Sequence, residues 1–177
     1  MMRSRLLTLV LLTSPALAAA QGLEAGGGKV DQGTDNLQTV NQPAGDRSVV
    51  RQTAGPGSNG NVQSVTIASP GEPVNRATQE TQGAGNTQSI VLSGGSGNVV
   101  DQRTGPGSAG SVQSAIVTGS GNTVVQTQGG RENHQSVVQT GGGNVAIQTQ
   151  RGNGLSSVLQ QHGGQTDEQV EDSGPTK

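Results

Sequence analysis

The chain has 177 residues, 30 of them Gly, and contains no Phe, Trp, Tyr or Cys. Only 28% of its residues are hydrophobic, which excludes a core of large interlocking side chains and leaves either a disordered polar segment or a thin repetitive β structure. A formal net charge of −2, with no basic patch and no aromatic residue to stack on bases, argues against nucleic acid as a partner, and the lack of Cys excludes disulfides and thiolate-held zinc.

Residues 1–20 differ from the rest. Arg3 and Arg5 make a positive start, Leu6 to Leu12 is an apolar run broken only by Thr8, Ser14-Pro15 ends it, and two small-x-small sites follow between Ala16 and Ala20. This is the layout of a secretory signal peptide, and the run is far shorter than the roughly 20 residues a membrane-spanning helix needs. The mature chain is expected to begin near Ala19 or Gln21, outside the cytoplasm, with no later transmembrane segment. Residues 21–27 read as a flexible N-terminal segment.

From residue 28 to residue 161 two strand types alternate. Type A reads Asn98-Val-Val-Asp-Gln102, Asn122-Thr-Val-Val-Gln126 and Asn144-Val-Ala-Ile-Gln148, with earlier copies at Ser48–Gln52 and Asn75–Gln79 and a degenerate first copy at Gly28–Gln32. Type B reads Asn61-Val-Gln-Ser-Val65, Asn86-Thr-Gln-Ser-Ile90, Ser111-Val-Gln-Ser-Ala115 and Asn133-His-Gln-Ser-Val137. Asn36-Leu-Gln-Thr-Val40 precedes them, and Leu155–Leu159 follows in a register open by one residue. The total is six strands of each type, and spacing within a type settles at 22 in the later repeats. Gly-rich turns separate them, because Gly supplies positive φ at no steric cost. Gly55-Pro-Gly-Ser-Asn-Gly60 and Gly105-Pro-Gly-Ser-Ala-Gly110 match a dinucleotide-binding pattern. Each is followed by a short β segment where that motif requires a helix, so both read as turns.

Parity assigns the faces, because alternate strand residues point to opposite sides. With the leading Asn or Ser at position 0, type A carries Val or Ala at +2 and Gln at +4, and its charges (Lys29, Asp31, Arg51, Arg76, Asp101) fall on odd positions. Charges stay hydrated, so the even face is inside. Type B inverts the order, with Gln at +2 and the apolar residue at +4. Folded as two walls joined by a turn, the strands set apolar against apolar and Gln against Gln. The predicted fold is therefore all-β: a β-solenoid of stacked strand–turn–strand repeats of about 22–25 residues, amyloid-like cross-β on assembly. Identical carboxamides stacked about 4.7–4.9 Å apart can chain donor to acceptor, and the open end strands can recruit further strands. The self-assembly ladder is read as Asn122, Gln126, Gln128, Asn133, Gln135, Gln139, Asn144, Gln148, Gln150 and Gln161, beside an apolar column of Val100, Ala115, Val124, Val137, Ala146 and Leu159.

No catalytic, cofactor-binding or metal-binding set is expected. His134 and His162 are the only histidines and lack companion ligands, and the acidic residues form no inward pair. Ser64, Ser89, Ser114 and Ser136 recur on the outer face as a ladder, not as nucleophiles. Residues 162–177 are acidic and Pro-ended and read as a solvated, disordered tail.

These residues resemble the curlin repeat of bacterial curli, whose pattern is Ser-x5-Gln-x4-Asn-x5-Gln. Asn133-x5-Gln139-x4-Asn144-x5-Gln150 fits with Asn in place of Ser, as does Asn122-x5-Gln128-x4-Asn133-x5-Gln139, and the last unit keeps Gln161 but has Leu155 where Asn belongs. The resemblance implies a secreted structural subunit or nucleator of extracellular amyloid fibres on a Gram-negative-type cell surface, serving adhesion and biofilm matrix. It implies as partners further copies of the chain, a second curlin-like subunit or nucleator, and an outer-membrane secretion pore. A monomeric secreted β-solenoid that binds a ligand or surface is the alternative.

Overall fold

Short runs of alternating Val, Ala, Gln and Thr, punctuated by Gly, favour strands too short to bury a core alone, so they stack. The structure is a computed structural model that describes residues 6–12, 33–43, 47–68 and 74–172. The strands are β1 (Leu6–Leu12), β2 (Gly33–Thr34), β3 (Leu37–Pro43), β4 (Val49–Ala54), β5 (Ser58–Asn59), β6 (Val62–Ile67), β7 (Arg76–Thr81), β8 (Thr87–Ser93), β9 (Val99–Thr104), β10 (Val112–Thr118), β11 (Thr123–Gly129), β12 (His134–Thr140), β13 (Val145–Arg151), β14 (Ser156–His162) and β15 (Thr166–Asp172). No helix occurs among the described residues.

Two parallel walls result. One runs β3-β6-β8-β10-β12-β14, with β1 added antiparallel at the β3 edge, and the other runs β15-β13-β11-β9-β7-β4. Each wall takes every second long strand, so the chain winds as a β-solenoid of about six turns, about 23 residues per turn. The register sets like on like: Gln38 pairs Gln63, which pairs Gln88, and Gln102, Gln126 and Gln148 lie in one row of the opposite wall.

The expected parity holds. Along β8 and β13 every second residue is buried, and Arg51 and Arg76 lie on the exposed face. The core is small aliphatic: Val50, Val65, Ala77, Ile90, Val100, Ala115, Val124, Val137 and Ala146 are fully buried, with Ile67, Leu92 and Val117 in an adjacent row. Turns are packed as closely as strands. Gly119 has φ of +111°, and a Cβ there would collide with the carbonyl of Gly141 in the next turn, so only Gly fits.

The C-terminal boundary differs from the expected one. The segment read as a disordered tail enters β14 at His162 and then forms β15, in register with β13: Ala146 opposite Asp167, Gln148 opposite Gln169, Gln150 opposite Glu171. The backbone of β13 offers an unpaired parallel edge, and the +4 Gln persists at Gln169, so the local sequence joins the sheet despite its charge. Solenoid strands thus extend to Asp172, past the expected limit at residue 161. The sixth type A strand described is β15, and the proposed first copy at Gly28–Gln32 lies outside the described residues, as do residues 1–5, 13–32 and 173–177. The open register at Leu155 closes with Gln139 opposite Gln161 and Ser136 opposite Val158, which places Leu155 at position 0.

Candidate functional site

The candidate site is the set of inward carboxamides, positioned by strand parity and by exact repetition of register. All ten ladder residues are buried; Asn122, Gln126, Gln128, Asn133, Gln139, Asn144, Gln148, Gln150 and Gln161 are 0% exposed and Gln135 2%. Ten buried side-chain amides would cost about 1–3 kcal/mol apiece if left without partners, so their bonding decides whether the fold is possible.

The Gln residues form four columns. In the longest, each Nε2 donates to the Oε1 one turn later: Gln52 to Gln79 at 2.8 Å, Gln79 to Gln102 at 3.0 Å, Gln102 to Gln126 at 2.8 Å, Gln126 to Gln148 at 2.9 Å and Gln148 to Gln169 at 3.1 Å. On the facing wall Gln38, Gln63, Gln88, Gln113 and Gln135 do the same at 2.6–3.2 Å. Two short columns at +6 link Gln128 to Gln150 at 3.2 Å and Gln139 to Gln161 at 2.6 Å. Every donor in these columns points toward the C-terminal end.

From Gln52 to Gln161 the second N–H of each amide in these columns crosses the gap between the walls. Gln126 donates to the Ser114 carbonyl at 3.2 Å, Gln113 to Arg103 at 3.0 Å, Gln128 to Val112 at 3.1 Å and Gln139 to Thr123 at 3.1 Å. One carboxamide therefore holds both its own wall and the opposite one. This requires walls close enough for a Gln to reach across, which the Val and Ala core permits and aromatic residues would prevent.

The corner Asn residues run the other way. The backbone N–H and the Nδ2 of Asn144 both donate to Oδ1 of Asn122 at 3.0 Å, and Asn122 donates likewise to Asn98 at 3.0 and 3.1 Å. Asn columns thus donate toward the N-terminus while Gln columns donate toward the C-terminus, and their dipoles oppose. Asn133 is not stacked on Asn. Ser111 precedes it and Leu155 follows, its Oδ1 accepting from the Leu155 N–H at 3.0 Å, while its Nδ2 holds the turn carbonyls of Gly129 and Gly152 at 3.0 and 2.9 Å.

Of the apolar column, Val100, Ala115, Val124, Val137 and Ala146 are fully buried and Leu159 is 8% exposed. His134 and His162 are both exposed. Among the described residues no three of His, Asp and Glu gather to hold a metal ion. On the outer face of β9, Arg103 contacts both carboxylate oxygens of Asp101 at 3.1 and 2.7 Å, and this bond and charge hold the guanidinium above its ordinary pKa. The pair is exposed and adds little to stability.

Sequence reading missed the end of the ladders. Gln150 donates to a carboxylate oxygen of Glu171 at 2.9 Å, and Gln161 to one of Asp167 at 3.1 Å. Parity carried onward from Gln165 would have found them, since Asp167, Gln169 and Glu171 repeat the spacing of Ala146, Gln148 and Gln150. Compared with protein-family models, curated proteins and solved structures, the chain matches none.

Proposed function

We propose that this chain is a secreted structural subunit, or nucleator, that self-assembles into curli-like extracellular amyloid fibres for adhesion and biofilm matrix. The observation that carries this reading is the amide column. Successive turns are joined by backbone bonds and Gln bonds, with Asn bonds at the corners that carry Asn, and the backbone edges and the row of Gln169 offer the same bonding to an in-register copy. Each added rung pairs amides that the previous rung left open, so long stacks are favoured over short ones. Among the described residues Oε1 of Gln38, in the first described turn, accepts no hydrogen bond, an open acceptor that a side-chain donor from an added strand would satisfy. The partners this reading requires are other copies of the chain, a nucleating second subunit and a secretion pore.

The alternative is a monomeric secreted β-solenoid that acts as an adhesin. Its support is β15, whose exposed acidic residues suit an end that does not stack. Thioflavin fluorescence and electron microscopy of the chain from Gln21 onward separate the two. The fibre reading expects a lag removed by preformed seed and slower growth in Gln139→Ala and Gln150→Ala. A persistent monomer at high concentration would favour the alternative.

A further inference from the structure

The last turn breaks the pattern of every turn before it. Leu155 holds the corner row otherwise filled by Asn or Ser and has no side-chain acceptor to offer. In the other corner Gln165 has its Oε1 occupied by the His162 N–H at 2.8 Å. Ser157 replaces Gln in the row of Gln113 and Gln135. Glu171 accepts from Gln150 but, as a carboxylate, has no N–H to pass on, so the +6 column stops. The amide of Gln161 is already directed at the carbonyls of Val145 and Gln165 and at Asp167. Gln169 keeps a carboxamide in its row, its Oε1 accepting from Gln148.

The register of β13 with β15 and of β4 with β7 defines the rows that a second copy would continue. Among the described residues β4 is the first strand of its wall, and in a head-to-tail joint with it Gln169 meets Gln52 and Glu168 meets Arg51, both favourable. In the same joint Asp167 falls on Val50 and Glu171 on Ala54, two residues that are 0% and 2% exposed. Neither offers a donor. Closing the joint would bury two carboxylates against apolar surface, the arrangement proteins most avoid. Inward charge on an edge strand is also a known way of discouraging strand addition.

We propose that the β14–β15 turn is a built-in brake on end-to-end addition, with Asp167 and Glu171 as the residues that resist the N-terminal turn of a second copy. This rests on the self-assembly reading and deepens it: Gln169 and Glu168 set the register of the joint, and the two inward carboxylates set its rate.

The test compares seeded elongation of the secreted form with that of Asp167→Ala/Glu171→Gln, which restores the residues β13 carries in the same rows, and of Asp172→Asn, which removes a charge from the outer face of the same strand. The brake predicts elongation at least about tenfold faster in the double variant and within about twofold of the parent in Asp172→Asn. Equal rates in all three, or equal acceleration by Asp172→Asn, would overturn it while leaving self-assembly intact. If no fibres form from any of them, sedimentation equilibrium decides. Association of the double variant alone at concentrations where the parent is monomeric supports the brake, and monomers throughout overturn both readings.

Discussion

Gln139 donates its amide nitrogen to Gln161 at 2.6 Å, yet its own Oε1, buried opposite Val117, accepts nothing among the described residues. This is the cost of starting a directional column beside an aliphatic row. Ile67, Leu92 and Val117 occupy the earlier turns at this position, and none can donate. A Thr at 117 would present a hydroxyl to that oxygen. Val117→Thr is therefore expected to be nearly neutral, whereas Val124→Thr, in a wholly apolar row, should lose about 1–2 kcal/mol. Urea denaturation of the two variants measures the difference; equal losses would mean that the orphan acceptor has no energetic weight.

Gln126 occupies the middle of the longest column. It accepts from Gln102 and donates to Gln148 and to the Ser114 carbonyl. Gln126→Ala removes all three bonds and leaves a cavity, so a loss of about 2–4 kcal/mol is expected. Thr127→Ala, on the exposed face of the same strand, should change stability by less than about 0.5 kcal/mol. Similar losses for the two would show that the column does not hold the stack.

Glu132 has φ of +57° at the row where Gly60, Gly85, Gly110 and Gly154 stand in other turns at +62° to +69°. A non-Gly residue strains there, and the Glu132 side chain is exposed. Glu132→Gly is expected to raise stability by about 1 kcal/mol, read as a higher thermal midpoint. A lower midpoint would mean that chain entropy outweighs the strain.

The strand β1 covers the β3 edge over seven residue pairs, from Leu6 opposite Pro43 to Leu12 opposite Leu37. It falls in the segment proposed to be removed on secretion. A chain that keeps residues 1–20 should therefore add to seeds several-fold more slowly than one beginning at Gln21. Equal seeded rates would show that this edge takes no part in growth.

Much of the wall chemistry was legible because parity and the 22-residue repeat act together. The odd placement of Arg51, Arg76 and Asp101 fixed which face is inside, and the recurrence of Asn122 and Asn144, Gln126 and Gln148, set the register. The reach of Gln126 to the opposite backbone was not legible, because it depends on how closely the walls approach. That spacing follows from the summed volume of Val, Ala and Gln, not from any one position. The strand β15 was missed for another reason. Charge is read as solvation, yet Asp167 and Glu171 take inward rows at a stack end, where one side still meets water.

X-ray diffraction from aligned fibres of the secreted form tests the stacked-turn mechanism most directly. Rungs that continue in register from copy to copy predict a sharp meridional reflection near 4.8 Å, set by the strand spacing. Fibres lacking that reflection, or a chain whose circular dichroism stays that of random coil after days of incubation, would contradict it.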